Sequence, residues 1–94
     1  MKIYQSRSFE KKIKKLNANQ KDELDNEIKQ IIQNPLIGTE KKGDLRGIFV
    51  HKFNLQNKLY LLAYRFVGEE SLELIMLGHH ENYYRDLKGY LKSQ

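Results

Sequence analysis

The chain has 94 residues, 39% hydrophobic and 31% charged, which suits one small domain with a modest core and not a disordered segment. It contains no cysteine, so disulfides, thiolate catalysis and cysteine-based zinc sites are excluded together. Lysine and arginine outnumber aspartate and glutamate by 17 to 12, a net charge of +5 that suits a polyanion or an acidic protein partner.

The predicted elements follow in chain order. Lys2 to Ser6 sets Ile3 between polar neighbours and predicts a short first strand. Ser8 can cap a helix over Phe9 to Leu16, with Phe9, Ile13 and Leu16 on one face and Lys11, Lys12, Lys14 and Lys15 around the rest. Asn19 is a natural cap for a second helix, and Asp22, Glu23 and Asp25 suit the positive end of its dipole. Leu24, Ile28, Ile31 and Ile32 form its core-facing stripe, and Asn34-Pro35 ends it. Leu36 to Asp44 reads as a loop. Leu45 to Phe53 reads as a strand with Phe49, His51 and Phe53 on one face and Ile48, Val50 and Lys52 on the other. Asn54 to Asn57 is a hairpin-length connection to a nearly continuous apolar strand, Lys58 to Phe66. Gly68-Glu69-Glu70 turns the chain into Leu72 to Leu77, and a helix begins near Tyr83 with Tyr83, Leu87, Tyr90 and Leu91 on one side. The order β-α-α-β-β-β-α predicts a single α+β domain over residues 1–94, with helices packed on one face of an antiparallel sheet. No apolar run approaches the roughly 20 residues that span a bilayer, and the N-terminus lacks the apolar core of a signal peptide. A cytoplasmic location is therefore expected.

The densest chemistry lies in Gly78-His79-His80-Glu81-Asn82-Tyr83-Tyr84-Arg85, where a strand should end. Imidazoles exchange protons near neutral pH, while phenols and guanidiniums can stack on bases or hold phosphate. With three histidines, two of them adjacent, a metal site is not expected, and no cofactor is called for.

The element order, Lys41-Lys42-Gly43-Asp44-Leu45-Arg46-Gly47, the strand Tyr60-Leu61-Leu62-Ala63-Tyr64-Arg65 and the ending Gly78-His79-His80-Glu81-Asn82-Tyr83-Tyr84 together resemble the RelE/ParE superfamily of bacterial toxins, nearest its YafQ-like branch. The resemblance covers essentially the full chain. It implies the toxin of a type II toxin-antitoxin system, neutralised by a cognate antitoxin. On the RelE side of the superfamily it implies metal-independent cleavage of mRNA in the ribosomal A site. On the ParE side it implies inhibition of DNA gyrase without RNA cleavage. A member that has lost its nuclease activity and serves as a binding module is the third alternative.

Cleavage by the RNA's own 2′-hydroxyl needs a base, a cation for the phosphorane-like charge and an acid for the leaving 5′-oxygen. The resemblance aligns His80 with the histidine of the YafQ-like ending, as base or as acid, and sets His51 in a strand that contributes a second histidine. Arg65 is the candidate to hold the scissile phosphate, although the family's usual strand arginine would align nearer Leu61. Lys42, Arg46 and Lys52 could add charge to substrate binding. Tyr84 matches the terminal aromatic and could stack on a base, or Tyr83 could do so, one of the two packing inward. Glu81 could orient His80 or cap the helix. Lys11, Lys12, Lys14 and Lys15 could dock on ribosomal RNA, and an antitoxin helix could compete for the groove under the last helix.

Overall fold

The chain order is strand, two helices, four strands and a helix, in a computed structural model that describes residues 1–93. β1 (Lys2–Gln5) leads into α1 (Arg7–Ile13), and Ser6 rather than Ser8 is the cap. The Ser6 hydroxyl accepts from the Phe9 amide at 3.0 Å and donates to the Ile75 carbonyl, so a local cap doubles as a tie to a distant strand. Ser8 lacks that second partner and falls inside the first turn. α2 (Ala18–Gln33) starts at Asn17, not Asn19, because Gln20 stands where a capping box needs it. Asn17 accepts from the Gln20 amide at 2.8 Å, and the Gln20 side chain accepts from the Asn17 amide at 2.9 Å. Leu24 and Ile31 are buried and Ile28 half-buried, whereas Ile32, expected in the same stripe, is exposed.

The segment expected as a loop contributes a short edge strand, β2 (Thr39–Glu40), paired with Phe49 and Val50. Gly38 precedes it in close contact with Tyr64: a Cβ there would lie 2.8 Å from the phenol oxygen. That phenol donates to the Pro35 carbonyl at 2.7 Å and accepts from the Gly38 amide at 3.0 Å, and burial raises its pKa. A 3-10 turn over Gly43–Leu45 and Gly47 at φ 86° delay the next strand, so β3 runs Phe49–Leu55 instead of beginning at Leu45. Gln56 and Asn57 take positive φ of 48° and 71° in a two-residue hairpin, which leaves Leu55 in the ladder and fully buried. β4 (Lys58–Phe66) and β5 (Ser71–Gly78) complete the meander, and α3 spans Tyr83–Lys92.

The five strands lie in the order β1-β5-β4-β3-β2, and the fold is α+β as expected. One ladder departs from the antiparallel expectation: β1 runs parallel to β5, from Lys2 opposite Ser71 to Gln5 opposite Leu74. The helices also divide between the two faces. α1 and α2 cover the face that carries Phe49, Phe53, Leu62 and Leu74, while α3 covers the one that carries Val50, Ala63 and Ile75. Both faces of β4 and β5 are therefore buried, which explains their nearly continuous apolar sequences. A β-bulge at Ala63/Tyr64 leaves Ile75 as the extra residue, and it is the Ile75 carbonyl that meets Ser6.

Candidate active site at the end of strand β5

β5 ends at Gly78 because α3 must turn back onto the sheet there. A Cβ on Gly78 would lie 2.8 Å from the Tyr83 ring. Tyr83 fills that space: it is 1% exposed, and its hydroxyl donates to the Met76 carbonyl at 2.6 Å. Burial drives its phenol far above the usual range, with the Ala63 backbone opposing the shift only in part. Tyr83 is thus the tyrosine that packs inward, and its expected substrate contact gives way to a core role. Tyr84 stays half-buried at the margin of the second core, with the Lys41 ammonium 5.2 Å from its ring centroid.

His79 and His80 follow Gly78 into solvent. The His79 ring meets Tyr60 at 4.8 Å between centroids. Its pKa lies below the ordinary imidazole value, first through desolvation and then through the positive fields of Lys12, Lys58 and His80. The His80 side chain is 46% exposed, with Nε2 3.4 Å from Asp86 Oδ2 in the first turn of α3. Nε2 also lies 3.7 Å from the position a Gly78 Cβ would take, which sets the ring against the α3-covered face. Gly78 pairs with Leu61 and Leu61 with Lys52, so one row of that face runs from the exposed Lys52 to the foot of His80. At two strand spacings, that row is roughly 10 Å wide.

The remaining predicted residues lie elsewhere. The pleat turns His51 to the opposite face, beneath α2, where it is 8% exposed and stacked on Phe53 at 5.5 Å. Its Nε2 pairs with Glu27 Oε1 at 2.9 Å. Arg65 shares the His80 face but stands four residues beyond Leu61, roughly 13 Å along β4. There its Nε donates to Glu73 Oε1 at 2.8 Å across the ladder. Lys42 and Arg46 join Glu40, Lys41 and Gly43 around a shallow depression of about 350 Å³ next to the Lys41–Tyr84 contact. Glu81 is exposed and does not cap α3; the cap residue is Asn82, with no side-chain hydrogen bond.

Two groups of side chains at the site were hidden in the sequence. Asp86 is one helical turn and a loop from His80, and it becomes a neighbour only because α3 folds back. Ser8, Lys11, Lys12 and Lys15 line a cleft with Met76, Leu77, His80 and Asp86, about 250 Å³ in volume. The lysine run was legible as charge, but its position beside β5 is a tertiary fact. Among the described residues, no three His, Asp or Glu side chains converge into a metal-binding group, and no helix is long and apolar enough to cross a membrane. An exposed imidazole beside a carboxylate, in a cleft lined by ammonium groups, is equipped to handle protons on an anionic chain.

Residues 3–88 match the family described as the ParE-like toxin of type II bacterial toxin-antitoxin systems. The fold is similar to that of Escherichia coli RelE in the intact RelBE toxin-antitoxin complex, at a TM-score of 0.67 and 20% identity over 85% of this chain and 96% of that one. Against the isolated E. coli RelE toxin the TM-score is 0.64 at 19% identity, over 95% and 97% of the two chains. A doubly substituted RelE in its free state gives 0.72 at 16% identity, over 97% and 95%. No curated protein matches the chain in sequence.

Proposed function

This chain belongs to the ParE-like toxin family of type II toxin-antitoxin systems, and from that premise we propose that it is an endoribonuclease that cleaves mRNA in the ribosomal A site. The observation that carries the proposal is His80: a solvent-facing imidazole at a strand end, 3.4 Å from Asp86 and in a cleft lined by lysines. In the proposed reaction the RNA 2′-oxygen attacks the adjacent phosphorus and the bond to the 5′-oxygen breaks. The products are a 2′,3′-cyclic phosphate and a 5′-hydroxyl. His80 accepts the 2′-hydroxyl proton or delivers one to the leaving oxygen. Tyr84, supported by Lys41, stacks on a base, and Lys52, Lys42 and Arg46 add positive charge along the strand's path. His51 and Arg65 take no part, because Glu27 and Glu73 already engage them away from His80. The reaction needs no metal or cofactor. A cognate antitoxin, as RelB is to RelE in the matched complex, and a cytoplasmic setting complete the reading.

Leu61 supports a second reading. An apolar residue stands in the middle of the row from Lys52 to Gly78, where a nuclease would profit from a cation. A toxin that inhibits DNA gyrase by binding alone needs none. Inducing the chain in cells and mapping mRNA 5′ ends, beside His80→Ala, separates the two. The nuclease predicts new 5′-hydroxyl ends that vanish with His80→Ala and persist in chelator. Intact transcripts with an SOS response would overturn it in favour of gyrase.

A further inference from the structure

α1 and the turn that ends it lie along the part of β5 that β1 leaves unpaired, since β1 reaches only Leu74 and β5 continues to Gly78. Ser8, Lys11, Lys12 and Lys15 recur there at helical spacing and share one cleft with His80 and Asp86. Three ammonium groups face one carboxylate, so the lining is positive even with His80 neutral. Lys12 is half-buried, and its charge reaches His79, whose pKa it helps lower. These lysines are not free to drift with their helix. Ser6 anchors the start of α1 to the Ile75 carbonyl at the bulge, and its amide donates to the Leu74 carbonyl at 2.9 Å. Phe9, 1% exposed, and Leu16 hold the opposite side of the segment in the core.

The sheet offers no phosphate-holding group next to His80, since Lys52 stands two strands away from Gly78. Leu61 is apolar, and Arg65 is bound to Glu73 at the far end of β4. We propose that Lys12 and Lys15, with Lys11 beside them, are the phosphate-holding groups of the His80 site and grip the backbone of a single-stranded RNA. The inference rests on the nuclease reading of the site. A lysine presents a compact point charge with three donors, which suits a phosphate whose neighbouring bases vary. The same charges would stabilise the phosphorane-like state as the 2′-oxygen attacks, with His80 within the same cleft to move the proton. Lys14 supplies an internal control, being exposed on the same turn and outside the cleft.

The test measures binding of a fluorescent single-stranded RNA to the His80→Ala chain, which leaves the RNA uncut, across a range of salt concentrations. Lys12→Ala and Lys15→Ala should each reduce the slope of log K against log salt by about 0.7, the value for one phosphate contact on a single strand. Lys14→Ala should leave that slope unchanged. With His80 restored, the pair Lys12→Ala/Lys15→Ala should lower cleavage about 100-fold or more, and Lys12→Arg/Lys15→Arg should recover a large part of it. A chain that binds no RNA, or lysine variants that shift the slope no further than Lys14→Ala, would overturn the proposal. Normal cutting by Lys12→Ala/Lys15→Ala would overturn it while leaving the nuclease standing. Slope changes in a chain that cuts no ribosome-bound mRNA would support the phosphate grip and remove the nuclease instead.

Discussion

His51 and His80 each face a carboxylate, yet their surroundings give them different work. His51 lies at 2.9 Å from Glu27, stacked on Phe53 and closed over by α2. Little of that imidazole meets solvent. His80 lies at 3.4 Å from Asp86 with nearly half of its side chain in water, at the mouth of a basic cleft. The tighter pair joins a helix to the sheet, and the proposal gives the looser one the chemistry. On the proposed reading, a short contact marks a structural pair, and exposure at a junction of elements marks the reactive one. The two adjacent tyrosines repeat the lesson. Tyr83 fills the hollow over Gly78 with its hydroxyl bonded, while Tyr84 stays half-buried with its ring face beneath the Lys41 ammonium.

The contrast makes predictions that can break it. The largest is His80→Ala: RNA cleavage should fall by about 100-fold or more, the usual contribution of a general acid or base, with stability changed by no more than about 0.5 kcal/mol. His51→Ala should do the reverse. It strands Glu27 and should cost about 2 kcal/mol, which at this size lowers Tm by roughly 10 °C, while the cleavage rate per folded molecule is kept. Loss of activity without loss of Tm would erase the distinction. Tyr84→Ala should raise KM about tenfold through the loss of one stacked base, with Tm nearly constant. Tyr83→Phe removes a buried hydroxyl from Met76 and should cost about 1 kcal/mol in melting experiments, with no effect on KM.

The smallest effect concerns pH. The folded-state pKa of His79 lies below its unfolded value of 6.5, so the unfolded chain binds more protons in that window. Stability should then rise with pH until 6.5 is passed and fall as the pH is lowered through it. His79→Gln should flatten that slope in pH-resolved denaturant titrations, and an unaltered slope would show that His79 carries none of it.

The helical hairpin and the meander were legible because their apolar residues recur at 3.6 and 2 along continuous stretches. What remained hidden depends on partners far apart in the chain. Ser6 and Ser8 are equivalent as local caps, and only the Ile75 carbonyl decides between them. Nothing in Lys2 to Gln5 announces a parallel partner in Ser71 to Leu74. Thr39 and Glu40 are too short and polar to declare a strand, and pair only because β3 presents an edge. At the site, the sequence singled out His80 and Tyr84, both in one short run after β5. His51 and Arg65 carried suitable chemistry, but the carboxylates that occupy them come from α2 and from the neighbouring strand. Asp86 was overlooked, and the lysines of the first helix were read only as a docking charge, because neither joins His80 until the cleft at the end of β5 is formed.

The most direct test is single-turnover cleavage of a ribosome-bound mRNA by three purified chains: the parent, His51→Ala and His80→Ala, each held below its own melting range. The parent and His51→Ala should cut at the same positions with rates within a few-fold, and His80→Ala should leave the message intact. Cutting by His80→Ala at the parent rate, or loss of cutting in a fully folded His51→Ala, would contradict the assignment of chemistry to the end of β5.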